Sequence, residues 1–468
     1  MIKTRKILRS IICRNVTLYF LLALGLRIIY CLFFTSENSI AIEDQAMYRE
    51  LARNIADFGP LAIHPERVPG YPVFLYVLLT IFDDKWFMVL ATQALTDSFT
   101  CLLIGKLTEI FSPESKFIAI SLSVINLNMI ILTGMLLTDT LFLFLITIAL
   151  YLSLSIYKEP TTANILSSAL FLGFATLVRP ISFGLYPLLL VMVVASLLLN
   201  RVSFPRIALL SCLSFAAFTL VLSPILVRNY NEYGTFSITS QSGGHAIGWV
   251  VPAVYQYSGM GDYTEGQKLA QAKLNKTNYS HLFAEKSVNP FEESEFKLSV
   301  AKSILLEDFG WNPIIKAWFT GLLVNLTVPS VAFMPKFREL EHPSFYLTEG
   351  HGFIEKLLNY MSNSSGLFYL SILALGTLAS LLFLVLSLVG IGTVVRNLSK
   401  SKDWCLLISV IYLVLIIGYF MLITGPIIGS KYRLPVEPIM TIFSSIALGR
   451  ILQQLTRFTF LGRSSAFK

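Results

Sequence analysis

The sequence predicts an all-helical, polytopic transmembrane bundle of about ten spans. Three observations predict it. Of the 468 residues, 55% are hydrophobic and only 14% are charged, whereas a soluble domain carries about a quarter charged residues. The mean hydropathy is +0.69. The apolar residues are also blocked: runs such as Phe117 to Leu137 and Ile181 to Leu199 reach the ~20 residues that cross a hydrocarbon core.

Ten segments carry this pattern: 16–34, 87–108, 117–134, 138–156, 162–178, 181–199, 207–227, 367–395, 404–424 and 433–453. The first follows a basic start and lacks an A-x-A-type cleavage site, so it reads as a retained helix. Two further apolar stretches read differently. Val68 to Phe82 is short and contains Pro69, Gly70 and Pro72, which suits an interfacial or re-entrant helix. Ile314 to Met334 is long enough but carries Lys316, Asn325 and Pro329, and reads as a surface-lying helix. The chain then divides into an N-terminal bundle (1–227) that contains a first polar region (35–86), a second polar region (228–366) and C-terminal helices (367–468).

The formal net charge is +8. In a bundle of this kind the excess belongs to cytoplasmic loops held against anionic lipid. Lys3, Arg5, Lys6, Arg9, Arg14, Lys116, Lys158, Arg201, Arg206, Arg396, Lys400, Lys402, Arg457, Arg463 and Lys468 cluster in alternate segments. The expectation is that both termini are cytoplasmic and both polar regions face outward. A nucleic-acid partner is not expected, since no basic stripe with interleaved aromatics occurs. Cys13, Cys31, Cys101, Cys212 and Cys405 form no CxxC or other ligand spacing and read as small core residues. His64, His245, His281, His342 and His351 all fall in the polar regions at irregular spacing, and read as scattered surface residues. No P-loop, GxSxG, HExxH or GxGxxG is present.

Chemistry-bearing residues gather at the expected outer side. Glu43 and Asp44 open an amphipathic stretch with apolar Ala46, Leu51, Ile55 and Phe58, where acids suit the helix dipole or serve as reactive groups. Arg67-Val68-Pro69-Gly70-Tyr71-Pro72 makes a stiff turn. Asp139 falls between two spans, where it caps a helix, pairs or acts. Arg179, Arg228, Lys431 and Arg433 sit beside spans on a side that should be poor in cations. Phosphate binding is one reason for them, and snorkelling to headgroups is the other.

In chain order these pieces resemble the GT-C superfamily of membrane glycosyltransferases, in the bacterial form of the protein O-mannosyltransferase and aminoarabinose-transferase-like group. The resemblance rests on Asp44 with Tyr48 and Leu51-Ala52, on Arg67-x-Pro-Gly-Tyr-Pro, on Asp139-x-Leu-Phe, on Gly173-x-Ala-x-Leu-x-Arg-Pro, and on Pro224 with Arg228-Asn229-Tyr230-x-x-Tyr-Gly; Tyr432-Arg433-Leu434-Pro435 adds to it. It covers residues 15–235 and 425–445, and the second polar region poorly. Members more often have Asp-Glu than Glu-Asp in the first loop, and Glu at the position of Asp139.

The resemblance implies a helical bundle in the cytoplasmic membrane with interfacial helices in its first outer loop. It implies inverting transfer of a sugar from a polyprenyl-phosphate donor to a glycan, lipid or protein acceptor on the outer face. Asp44 is then the expected base, with Glu43 and Asp139 as further catalytic acids. Arg228, Lys431 and Arg433, with Arg67 and Arg179, are expected at the donor phosphate, and Tyr48 and Tyr71 in positioning roles. No cofactor is expected, and the chemistry does not require a metal. Two other readings stand beside it: a transporter or flippase of lipid-linked sugars, which would place charges deep inside several spans, and a non-catalytic subunit of a glycan-assembly complex.

Overall fold

The computed structural model describes residues 15–40, 43–277, 279, 289–338, 340, 342, 344–364 and 367–465. The basic start with Cys13, and also His281 and Lys468, lie outside the described residues. Every regular element among those described is a helix. The N-terminal bundle contains α1 (Val16–Phe34), α2 (Glu43–Phe58), α3 (Gly70–Ile81), α4 (Trp86–Phe111), α5 (Lys116–Val124), α6 (Leu127–Thr133), α7 (Asp139–Lys158), α8 (Thr162–Val178), α9 (Tyr186–Leu199) and α10 (Phe204–Tyr233). The second polar region holds α11 (Gln241–His245), α12 (Val251–Ser258), α13 (Tyr263–Lys276), α14 (Pro290–Ser303), α15 (Trp311–Thr327), α16 (Pro335–Arg338) and α17 (Phe353–Asn363). Three long helices follow: α18 (Leu367–Ser401), α19 (Trp404–Thr424) and α20 (Glu437–Ser465).

This is a multi-pass membrane protein. Among the described residues eight helices are long and apolar enough to cross a bilayer, and they coincide with eight of the ten expected segments. The other two depart from expectation. The segment expected over 117–134 is broken into α5 and α6, bent by 48°. Asn126 is the cause: its side chain accepts from Met129 N at 3.1 Å and starts a new helix. The segment at 162–178 is α8, which at 17 residues is shorter than the rest. Within 314–334 the helix begins earlier, at Trp311, and stops at Thr327. Val328 is extended, as a residue before proline must be. The 12 residues of α3 are too few to span, since about 20 are needed.

The main core runs through the middle of the bundle, from Leu75 and Phe142 to Leu413 and Phe443. Helix α20 is its central post. The apolar window of the span Ser430–Leu455, which it forms, is 83% buried, against 11% for α18, which lies at the periphery. Two polar constellations are sealed inside the bundle. The first is Arg27 of α1, fully buried against Asp97 of α4. Its five guanidinium hydrogens all have acceptors: Asp97 Oδ2, Ala23 O, Val124 O, Ser123 O and Cys101 Sγ. A guanidinium used up this way is structural and has no donor left for a ligand. The second is Glu437 at the start of α20. Its carboxylate accepts from Asn126 Nδ2, from Asn128 Nδ2 at 2.8 Å and from Arg433 Nε at 2.9 Å.

Breaking a sealed pair strands a charge in low dielectric, which costs about 3–5 kcal/mol, whereas replacing both partners with apolar groups costs far less. Asp97→Leu should therefore lower the unfolding midpoint of the purified protein sharply. Arg27→Met combined with Asp97→Leu should recover most of the loss in the same melt.

Candidate functional site

The site forms where the first polar region meets the ends of α6, α7 and α8. Helix α2 is placed by Gln45, which is almost fully buried. Its Nε2 donates to Ser39 O at 2.8 Å, and its Oε1 accepts from Leu136 N at 2.9 Å. This holds the first turn of α2 over the turn that leads into Asp139. Asp139 is 2% exposed and pairs with Arg179 Nη1 at 2.7 Å. It does not cap α7, because no side-chain bond forms at that helix start. Arg179 follows α8 in extended conformation, just before Pro180, with its guanidinium 5.5 Å from the centre of the Phe142 ring.

The turn at Arg67 is brought to the same place by Gly70. A Cβ there would lie 2.5 Å from Leu177 O, so only glycine lets α3 start against the end of α8. Tyr71, next in sequence, is fully buried and donates to Gln93 Oε1 at 2.9 Å. Gln93 in turn donates to the carbonyls of Thr133 and Met135, both at 2.9 Å. The Tyr48 ring stands edge-on to Tyr71 at 5.1 Å. Arg67 Nη2 is 4.0 Å from Asp44 Oδ1, and Asp44 is 53% exposed.

Tyr48 lies within electrostatic reach of both acid–arginine pairs. Burial pushes its phenol up to about 12; Arg67 and Arg179 oppose the shift, and Asp44 and Asp139 add to it. Asp44, Arg67, Asp139, Arg179, Tyr48 and Tyr71 thus form one constellation.

The second polar region closes over it. Ser240 N donates to Pro65 O at 3.0 Å, and Thr239 Oγ1 donates to Glu66 O at 3.2 Å. These bonds carry α11 onto the Arg67 turn. His245, at the end of α11, is held below its ordinary range by burial and by the neighbouring Arg67 and Lys431. It is therefore not a scattered surface histidine. Its one sequence signal is Gly243, two residues earlier, where a Cβ would strike the Ser294 carbonyl at 1.9 Å. Lys431 lies over the rings of Tyr432, at 5.5 Å, and Phe333, at 6.0 Å. Among the described residues it has no ion pair.

The remaining expected residues are placed otherwise. Arg228 Nη1 donates to the carbonyls of Leu61 and Ile63, each at 2.8 Å, and so ties the end of α10 to the first polar region. Arg433 is 4% exposed, pairs with Glu437 and donates to the carbonyls of Leu326 and Val328 and to Ser330 Oγ. Glu43 pairs with Arg338 at 3.0 Å, both side chains exposed. Among the described residues no three His, Cys, Asp or Glu side chains are gathered to hold a metal ion.

Behind Lys431 the backbone is held from the second polar region. Tyr346 Oη donates to Ile428 O at 2.6 Å, and the Tyr346 carbonyl accepts from Lys356 Nζ at 3.1 Å. Lys356 also donates to Gln256 Oε1. Its side chain is fully buried, and burial pulls its amine down to about 7, against a smaller opposing effect of Asp262.

The fold has solved counterparts. The archaeal oligosaccharyltransferase AglB from Archaeoglobus fulgidus, in complex with an inhibitory peptide and a dolichol-phosphate, matches with a TM-score of 0.51 at 14% identity, over 96% of this chain and 51% of that one. The apo form of the Archaeoglobus fulgidus oligosaccharyltransferase matches at 0.51 and 13%, over the same shares. ArnT from Cupriavidus metallidurans, bound to undecaprenyl phosphate, matches at 0.34 and 13%, over 93% of this chain and 77% of that one. The chain spans about half the length of the oligosaccharyltransferases it matches. It matches no protein-family model and no curated protein sequence. The fold is shared with the archaeal oligosaccharyltransferase AglB.

Lys356 supplies a pH signature for the support behind Lys431. Between about 7 and its ordinary value of 10.5 the amine is neutral when folded and charged when unfolded. The unfolded chain then binds more protons, so stability rises with pH across that window. The slope contributed should reach up to about 1.4 kcal/mol per pH unit. Melting curves of the wild type from pH 7 to 10 should show this rise, and Lys356→Met should remove it.

Proposed function

We propose that this chain is an inverting glycosyltransferase that moves a sugar from a polyprenyl-phosphate donor to an acceptor on the outer face of the cytoplasmic membrane. The observation that carries the proposal is the pair of unlike acid–arginine contacts around Tyr48. Asp139 and Arg179 are closed on each other and buried, whereas Asp44 is open to solvent and only loosely paired with Arg67. An accessible carboxylate beside cations suits a displacement in which a proton is lost on one side and a phosphate leaves on the other. AglB binds a dolichol-phosphate, and the shared fold supports a ligand of that class here. The outward placement rests on the distribution of Lys and Arg.

In this reading the acceptor hydroxyl or amide attacks the anomeric carbon. Asp44 takes the acceptor proton as the new bond forms. The bond from the anomeric carbon to the phosphate oxygen breaks, and polyprenyl phosphate departs with the electron pair. Arg67 and Lys431 hold the departing charge, with His245 beside them. Asp139 fixes Arg179 at the edge of the same space, and Tyr48 and Tyr71 set the position of the first-loop helices. Arg228 and Arg433 act indirectly, by fixing the loop and the start of the last span. Glu43, engaged with Arg338, is a secondary acid. The second polar region is the cover of the site, and the acceptor is a glycan, lipid or protein.

Transfer by the purified, reconstituted protein from polyprenyl-phosphate sugars tests this. Asp44→Asn should lower turnover by at least ~10²-fold, the low end for a positioned base, with an unchanged melting temperature. Glu43→Gln should be milder; if it is the dead variant and Asp44→Asn remains active, the base is misassigned. Lys431→Met and Arg67→Lys should each weaken donor use by roughly ten- to a hundred-fold, the effect of losing a charged hydrogen bond worth about 1.5–3 kcal/mol. Arg228→Lys and Arg433→Lys should lower stability before they lower donor affinity. Donor movement across vesicles without transfer would instead support a flippase.

A further inference from the structure

We propose that α17 lies in the lipid–water interface, with its apolar face inserted among the lipids, and anchors the second polar region to the bilayer. The helix is two-faced. Ile354, Leu358 and Met361 are 74%, 60% and 46% exposed and fall at helical spacing on one side. Lys356 and Tyr360 face the protein on the other. A stripe of large apolar side chains left in water is the mark of an interaction surface.

Its surroundings identify the partner as lipid. The Tyr360 hydroxyl hydrogen-bonds that of Tyr369, which sets α17 against the first turn of α18. There Leu367 and Phe368 are 85% and 68% exposed, and the span they open is the least buried of the bundle. The outward face of α17 is therefore continuous with a face that must meet hydrocarbon. Helix α15 repeats the arrangement. Its Trp318 Nε1 donates to Leu422 O at 3.0 Å, near the end of α19, and its Phe319 is 60% exposed. An amphipathic helix with its apolar side turned out at the end of a span lies in the interface plane.

The inner face of α17 gives the anchor a target. Lys356 bonds to Tyr346, and Tyr346 to Ile428, three residues before Lys431. Fixing α17 at the membrane surface fixes the depth of Lys431. The inference does not depend on the transferase reading, and its test reads depth, not activity.

The full chain is reconstituted in phosphatidylethanolamine–phosphatidylglycerol bilayers with Leu358→Cys or Asn363→Cys labelled by an environment-sensitive fluorophore. The unsubstituted chain, labelled in parallel, sets the baseline. Doxyl-labelled lipid should quench the label on Leu358→Cys several-fold more than that on Asn363→Cys, which sits on the opposite side of the helix. Equal, weak quenching at both positions overturns the proposal. So does shielding of Leu358→Cys from lipid together with its cross-linking into dimers, which would make the face a contact between two copies.

Discussion

A single buried carboxylate holds the halves of this molecule in register. Glu437 is 1% exposed and has donors from three directions: the two asparagines around the break between α5 and α6, and Arg433 one turn before it. In a hydrocarbon surround each of these groups would be costly alone. Together they satisfy one another and bind a break in the N-terminal bundle to the start of the last span. Asn128 also donates to Ser430 O, so the short turn that carries Lys431 is held from the same point. The position of Lys431, which has no ion pair among the described residues, thus derives from a network with no exposed member in its centre.

The two acid–arginine pairs at the site show how burial sorts chemically identical groups into different uses. Asp139 and Arg179 are in direct contact, and Asp139 is removed from solvent. Such a pair maintains geometry and a fixed local field. Asp44 and Arg67 are 4.0 Å apart, with the acid more than half exposed. A contact that loose contributes little to stability and leaves both groups free to engage a third. Tyr48, between the pairs, keeps its proton far above neutral pH. It is a hydrogen-bonding and packing group there, not a base.

Much of the bundle was legible because its apolar blocks have the length of a bilayer. What was not legible depended on partners remote in sequence. Asn126 within an apolar run looks like a tolerated polar residue; its reason, Glu437, lies 311 positions later. Arg228 and Arg433 stood out as cations that needed a partner, and phosphate was the natural candidate. Their partners are mainly backbone carbonyls, which every residue has and no letter marks. Lys431 met the same argument and has no such partner among the described residues. Arg27 and Asp97 lie on different apolar helices, 70 positions apart, and only packing pairs them. His245 was hidden by the irregular spacing of the histidines, since its neighbours come from the first loop and from the last span.

The reach of the Glu437 network also bears on biogenesis. Helices enter the membrane in order as the ribosome delivers them. Gly70 cannot settle against Leu177 until the fifth segment is made, and Asn126 and Asn128 wait far longer for their carboxylate. Until the last span arrives, a nascent intermediate carries two asparagine amides inside the membrane without their native acceptor. Such groups are tolerable while insertion machinery or water shields them, and costly afterwards. The segment that carries Glu437 is therefore a folding clamp as well as an anchor. A chain released before it is synthesised would display unsatisfied polar groups at mid-bundle, a mark by which membrane proteases can tell it from the finished protein.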